Sequence, residues 1–205
     1  WFINHYPLLG SLAASFQIIE EESICRQMEI RVAAVDASKG EIYVNPAAGL
    51  DEEELRFVLA HEFLHAGLGH QERCQGRDPE LWNVACDFVI NGWLVEMEIG
   101  KMPEIGGLYD ENLKDQSAEE IYDSILRDLR KYSKLDTFRG YGKGDIFVDI
   151  QRGARFPGKD RGISLDDFYK RALAEGLDYH QKSGRGYVPA GLVEEIRALA
   201  MPPIP

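Results

Sequence analysis

The sequence predicts an α+β fold that is mostly helical, with a small β-hairpin packed beside one buried helix. Three observations carry this. Two β-rich runs lie close together between residues 29 and 45. Two long apolar stretches, around residues 55–68 and 80–94, each follow a helix-start signal. Further helical patterns come after them, so strands and helices do not alternate as a parallel α/β sheet would require.

The elements follow in order. Leu8 to Glu29 mixes apolar positions with Glu20-Glu21-Glu22 and predicts one amphipathic helix whose acidic triplet is a solvated face. Glu29 to Asp36 and Glu41 to Asn45 read as strands joined through Ala37-Ser-Lys-Gly40, a hairpin that Pro46 stops. Asp51-Glu-Glu-Glu54 opens the next helix, since acidic residues in a first turn complement the helix dipole. Gly67 and Gly69 mark its end. Asp78-Pro79 begins a second long helix, with a good cap followed by proline at the first helical position. Met102 to Gly107 is turn-rich, and Ser117-Ala-Glu-Glu120 resembles a capping box for a helix running to about Lys131. Residues 133–163 form a Gly-rich, basic excursion. Its Gly140-Tyr-Gly-Lys-Gly144 lacks P-loop spacing and has no Ser or Thr after the lysine. Helices from about Ser164 to Glu175 and Pro189 to Ala200 close a single domain over residues 1–200, and 201–205 read as the start of a proline-rich linker to a missing C-terminal module.

Composition narrows the function. Thirty-five acidic residues against 23 basic ones give a net charge of -12, which disfavours nucleic acid and anionic membrane as partners. No stretch is long and apolar enough to span a bilayer. Cys25, Cys74 and Cys86 are odd in number and lack C-x-x-C spacing. With no signal peptide at Trp1-Phe-Ile-Asn-His5, they point to a cytoplasmic, reducing compartment.

The stretch that carries chemistry is Leu55 to His70. His61 and His65 are four residues apart, one turn along the same helical face, with Glu62 directly after the first. This is the H-E-x-x-H pattern, in which two imidazoles bind Zn²⁺ and the glutamate takes a proton from a metal-bound water. The flanking Phe57, Val58, Leu59, Phe63, Leu64 and Leu68 are apolar almost all round, so the helix is buried and its polar cluster needs a partner. Catalytic zinc takes a third protein ligand. Asp87 lies between Asn83 and Asn91 at i, i+4 and i+8, one polar stripe on an otherwise apolar helix. His70 is the competing ligand, nine residues after His61 where the metzincin pattern puts its histidine at ten. Asp87 is favoured, which makes His70, Asn83 and Asn91 supporting residues around the ligands.

Several segments occur together in a familiar order: Tyr6-Pro-Leu-Leu-Gly10, Gly40-Glu-Ile-Tyr-Val-Asn-Pro46, His61 to His70, Trp82-Asn-Val-Ala-Cys-Asp87-Phe-Val-Ile-Asn91 and Ser117-Ala-Glu-Glu-Ile-Tyr122. Over residues 5–130 the chain resembles the metallopeptidase domain that precedes a von Willebrand factor A-like domain in many bacterial proteins. The resemblance implies a zincin-like fold, His61 and His65 as zinc ligands and Glu62 as catalytic base, and Asp87 matches the family's acidic position on the second helix. A zinc peptidase acting on protein or peptide substrates is the reading that follows. The two rival readings are a zinc-stabilised scaffold that binds a von Willebrand-type module or an ATPase, and a metal-dependent hydrolase of non-peptide substrates. For the peptidase, the strand Ile42 to Asn45 is the expected place for an extended substrate. Tyr109, His180 and Tyr187 are the candidates for oxyanion stabilisation.

Overall fold

The computed structural model describes residues 1–128, 137–138 and 165–201. Helix α1 (Phe2–His5), a 3₁₀ turn (Pro7–Leu9) and α2 (Gly10–Ser15) lead into strand β1 (Gln17–Ile19) and helix α3 (Glu22–Gln27). Strands β2 (Ala33–Asp36) and β3 (Glu41–Val44) follow, then the two long helices α4 (Glu52–Gly67) and α6 (Pro79–Glu96), with the short α5 (His70–Arg73) between them. Helix α7 (Ala118–Arg127) comes next, and α8 (Leu165–Ser183) and α9 (Ala190–Ala200) close the described chain. The mostly helical α+β expectation holds.

The hairpin expectation holds for β2 and β3, which pair antiparallel from Ala33 opposite Val44 to Asp36 opposite Glu41. The single helix over Leu8 to Glu29 does not form. The chain turns extended at Phe16, and Gln17, Ile18 and Ile19 pair parallel with Glu41, Ile42 and Tyr43. A β-branched pair gains more from completing a sheet than from a helical face it crowds. The resulting order β1-β3-β2 puts β3 in the centre, with a neighbour on each edge. It therefore has no free edge for an added peptide strand, which overturns the expected substrate position at Ile42 to Asn45; among the described residues the sheet edges are β1 and β2.

The helix signals were physically real. Asp51 Oδ1 accepts from Glu54 N at 2.8 Å and Glu54 Oε2 accepts from Asp51 N at 3.0 Å, a reciprocal capping box at the start of α4. Asp78 Oδ1 accepts from Leu81 N at 2.9 Å, with Pro79 in the first turn of α6. Ser117 and Glu120 cap α7 in the same reciprocal way, and α7 ends at Arg127 rather than Lys131. Helix α4 ends where Gly67 packs so closely on α2 and α8 that a Cβ would lie 2.9 Å from Leu173 Cδ2 and 3.0 Å from Leu12 Cδ1. Two residues later Gly69 takes a left-handed φ of 64°, which turns the chain into α5.

The core lies around α4, which packs against β2, α6 and α8. Leu8, Leu12, Ile42, Phe57, Phe63, Leu64, Ile90 and Leu173 are among its buried side chains. A second cluster joins α6 to α7 through Trp82, Cys86, Val89, Ile121 and Ile125. Burying these faces from both sides leaves the inward polar stripes of α4 and α6 facing each other. Of the excursion at 133–163 only Thr137 and Phe138 are described, so whether it forms a flap over the site lies outside the described residues, as do residues 202–205.

Candidate metal centre

His61 and His65 project from successive turns of α4, and Asp87 projects from the middle of α6. His65 Nε2 lies 2.8 Å from His61 Nε2 and 3.0 Å from Asp87 Oδ1, and His61 Nε2 is 3.4 Å from the same oxygen. All three residues are buried to within 1 % of full exclusion from solvent. Among the described residues they are the one group of side chains whose ligand atoms converge as a metal site requires.

The partners of the outer ring nitrogens decide what the inner ones offer. Asn91 Nδ2 donates to the Leu108 carbonyl at 2.9 Å, so its Oδ1 faces His61 Nδ1 at 2.7 Å and accepts from it. A neutral His61 then carries its proton on Nδ1 and a lone pair on Nε2. His65 Nδ1 meets His70 Nδ1 at 3.0 Å. With the shared proton on His65, its Nε2 lone pair points at the same place. Asn83 Nδ2 donates to Asp87 Oδ1 at 3.2 Å and steadies the carboxylate.

Three lone-pair-bearing atoms, one of them on a carboxylate, thus crowd together away from water. Such an arrangement is repulsive unless a positive charge sits among them. A tetrahedral zinc with bonds of about 2.0–2.1 Å separates its ligand atoms by about 3.3 Å, so the observed 2.8–3.4 Å triangle fits that ion with small adjustments. The nitrogen and oxygen donor set also suits zinc.

His70 sits behind His65, on its outer nitrogen, and contributes no atom to this triangle. Its backbone carbonyl accepts from Trp82 Nε1 at 2.8 Å, which fixes the turn after α4 against α6. Glu62, the neighbour of His61 on α4, is fully buried. Cys86, next to Asp87, belongs to the α6–α7 cluster instead, where burial pushes its thiol well up and keeps it protonated. The three oxyanion candidates are engaged elsewhere. Tyr187 donates to Glu96 at 3.0 Å, His180 is bound to Leu8 and Gly186, and Tyr109 is exposed on the outer side of α6.

Two contacts had no sequence signal. The Phe138 ring stands edge-on to His61 at 4.5 Å between centroids. Its carbonyl accepts from Val32 N at 2.8 Å and Ala33 N at 3.3 Å, which ties it to the start of β2. The other is the Leu108 carbonyl, which orients Asn91 from a turn-rich loop. Both depend on tertiary placement that local pattern does not encode.

A family model described as "Putative metallopeptidase domain" matches residues 2–177. The chain belongs to this family. No curated protein and no solved structure matches it. The matched span of the metallopeptidase domain includes both site helices, and family and geometry agree: a buried His-His-Asp group in such a domain points to a metal-dependent peptidase, a hydrolase acting on protein or peptide.

Proposed function

We propose that the chain is a zinc peptidase whose ion is held by His61 Nε2, His65 Nε2 and Asp87 Oδ1, with Glu62 as general base. The observation that carries this reading is the convergence of those three atoms within 3.4 Å of one another. When bound, zinc supplies Lewis acidity, polarising a peptide carbonyl and lowering the pKa of a water to about 7. Glu62 accepts the proton of the attacking water and returns it to the leaving amine. Asn91 and His70 hold the two imidazoles in the tautomer that presents Nε2 inward, and Asn83 holds Asp87. The exclusion of solvent around these groups strengthens every charge interaction in the site.

Burial of the whole cluster also fits the second reading, a zinc-stabilised scaffold that binds partners without turnover. A C-terminal von Willebrand-type module or an ATPase is the partner we propose for either reading, and the cytoplasm the compartment, consistent with three buried thiols. Residues 1–200 are proposed to act as one domain.

Glu62→Gln separates the two readings. Zinc-loaded wild type is expected to cleave an unfolded protein, and the variant is expected to keep its zinc while cleavage falls by about 10²–10⁴. Full activity in Glu62→Gln would remove the glutamate from the mechanism. Absence of cleavage by zinc-loaded wild type would favour the scaffold.

A further inference from the structure

On α6 the metal cluster occupies one side, and a separate cavity of about 160 Å³ opens on the other, between the helix and the segment from Tyr109 to Gln116. At 100° per residue, Val89, Gly92, Trp93 and Glu96 point away from the face that carries Asp87 and Asn91, and Phe88 lies at its border. The walls are apolar, formed by Phe88, Val89, Trp93 and Leu113, and Val95 and Tyr109 beside them are 39 % and 45 % exposed.

Gly92 is the residue that needs explaining. A glycine inside a helix destabilises it relative to alanine, because it adds freedom to the unfolded chain and packs nothing. A left-handed φ or a close neighbour would account for such a glycine. Gly92 lies in the regular middle of α6 without a positive φ. A Cβ built on it meets no heavy atom of the described residues within 4 Å. Gly67 on α4 is the contrast, since there the chain itself fills the space. The bare backbone at Gly92 is the floor of the cavity.

Size and charge specify an occupant. A cavity of this volume accommodates one benzene-sized group. Its rim carries four carboxylates, Glu96, Asp110, Glu111 and Asp115, against the single ammonium of Lys114, which itself lies 3.4 Å from Glu96 Oε1. A positive rim partner is therefore attracted and a negative one repelled. The partly buried Trp93 ring and the exposed Tyr109 ring border the cavity, and aromatic faces attract a guanidinium.

We infer that this cavity is a docking site for a partner polypeptide that inserts one aromatic side chain flanked by arginine or lysine. It is separate from the metal centre, so docking here positions a partner without occupying the site between α4 and α6.

The test uses the full chain and a dye-labelled ten-residue peptide with one phenylalanine between two arginines and serines elsewhere, read by anisotropy. Saturable binding in about the micromolar range is expected, weakened about tenfold by Gly92→Leu, which fills the floor. The double variant Glu111→Gln/Asp115→Asn is expected to lose a similar factor and most of the salt dependence. It preserves the fold, because Asp115 has a φ of 66°, which asparagine tolerates. Gly92→Ala guards against a folding artefact: it is expected to raise Tm while weakening the peptide, a combination that a purely structural glycine does not produce. A peptide with glutamates in place of the arginines is expected not to bind. Absence of saturation by wild type up to ~1 mM, or equal affinity across wild type, Gly92→Leu and the charge variant, overturns the proposal.

Discussion

His180 and His61 are equally excluded from solvent, yet the chain treats them in opposite ways. His180, on α8, is satisfied by backbone on both sides. Its Nδ1 accepts from Leu8 N at 3.4 Å and its Nε2 faces the Gly186 carbonyl at 3.3 Å, with the Tyr6 ring 4.7 Å away. That is a closed circuit for a neutral imidazole, and it pins the N-terminal turn to α8. His61 and His65 are held on their outer nitrogens by Asn91 and His70, while their Nε2 atoms converge with Asp87 Oδ1 on one point. Burial of a histidine therefore does not identify a site. Convergence of lone pairs onto one point does.

That contrast can be broken most directly by removing the cation. If zinc is present at about 100 times its dissociation constant, it contributes about 2.7 kcal/mol. For a chain of this size that corresponds to roughly 5–10 °C in Tm. EDTA is expected to lower the Tm of wild type by about that much and to leave Asp87→Ala unmoved. His180→Gln, whose amide replaces both hydrogen bonds, is expected to keep the full chelator-dependent shift. Equal shifts in wild type and Asp87→Ala, followed by scanning calorimetry, would show that the cluster is not the source.

A smaller effect sharpens the role of the outer nitrogens. Asn91→Leu leaves the ligand atoms in place and removes the acceptor that sets the His61 tautomer, so zinc affinity is expected to fall about 10–100-fold in a chelator competition. Asn91→Asp restores an acceptor for His61 Nδ1 and is expected to recover most of the loss. An unchanged affinity in Asn91→Leu would mean that His61 is oriented by its packing alone.

The smallest effect concerns pH. Burial pushes His180 below its ordinary value of 6.5, opposed by the Gly186 carbonyl. A histidine whose folded pKa is depressed binds more protons when unfolded, so stability rises with pH through this range. The contribution is complete above about pH 6.5 and is lost as the pH falls below it towards the depressed folded value. Urea titrations of the zinc-loaded protein are expected to show a decline over that window that is steeper in wild type than in His180→Gln. Parallel profiles would assign the decline to other groups.

What was legible in the sequence follows the same division between local and convergent features. Helix starts at Asp51, Asp78 and Ser117 act within one turn and formed where read, and at Asp51 the structure adds a capping box to the dipole complement that the acidic turn was read for. The i, i+4 spacings of His61 with His65 and of Asn83, Asp87 and Asn91 survive because helical geometry alone aligns them. The break at Phe16 was hidden, because β1 exists only through a pairing with β3 more than twenty residues away. Phe138 beside His61 was hidden for the same reason. His70 was legible as a residue near the site, but which nitrogen of His65 it meets depends on the left-handed turn at Gly69. His180 stands in the sequence only as an oxyanion candidate, and nothing local marks its burial, which comes from the packing of the N-terminal turn on α8.

The central claim is that the third ligand comes from α6 and not from the end of α4. Zinc content after dialysis of wild type, Asp87→Ala and His70→Ala, by elemental analysis, tests it most directly. Near-stoichiometric zinc in wild type, lost in Asp87→Ala and largely kept in His70→Ala, is the predicted result. Zinc kept in Asp87→Ala and lost in His70→Ala would contradict the account.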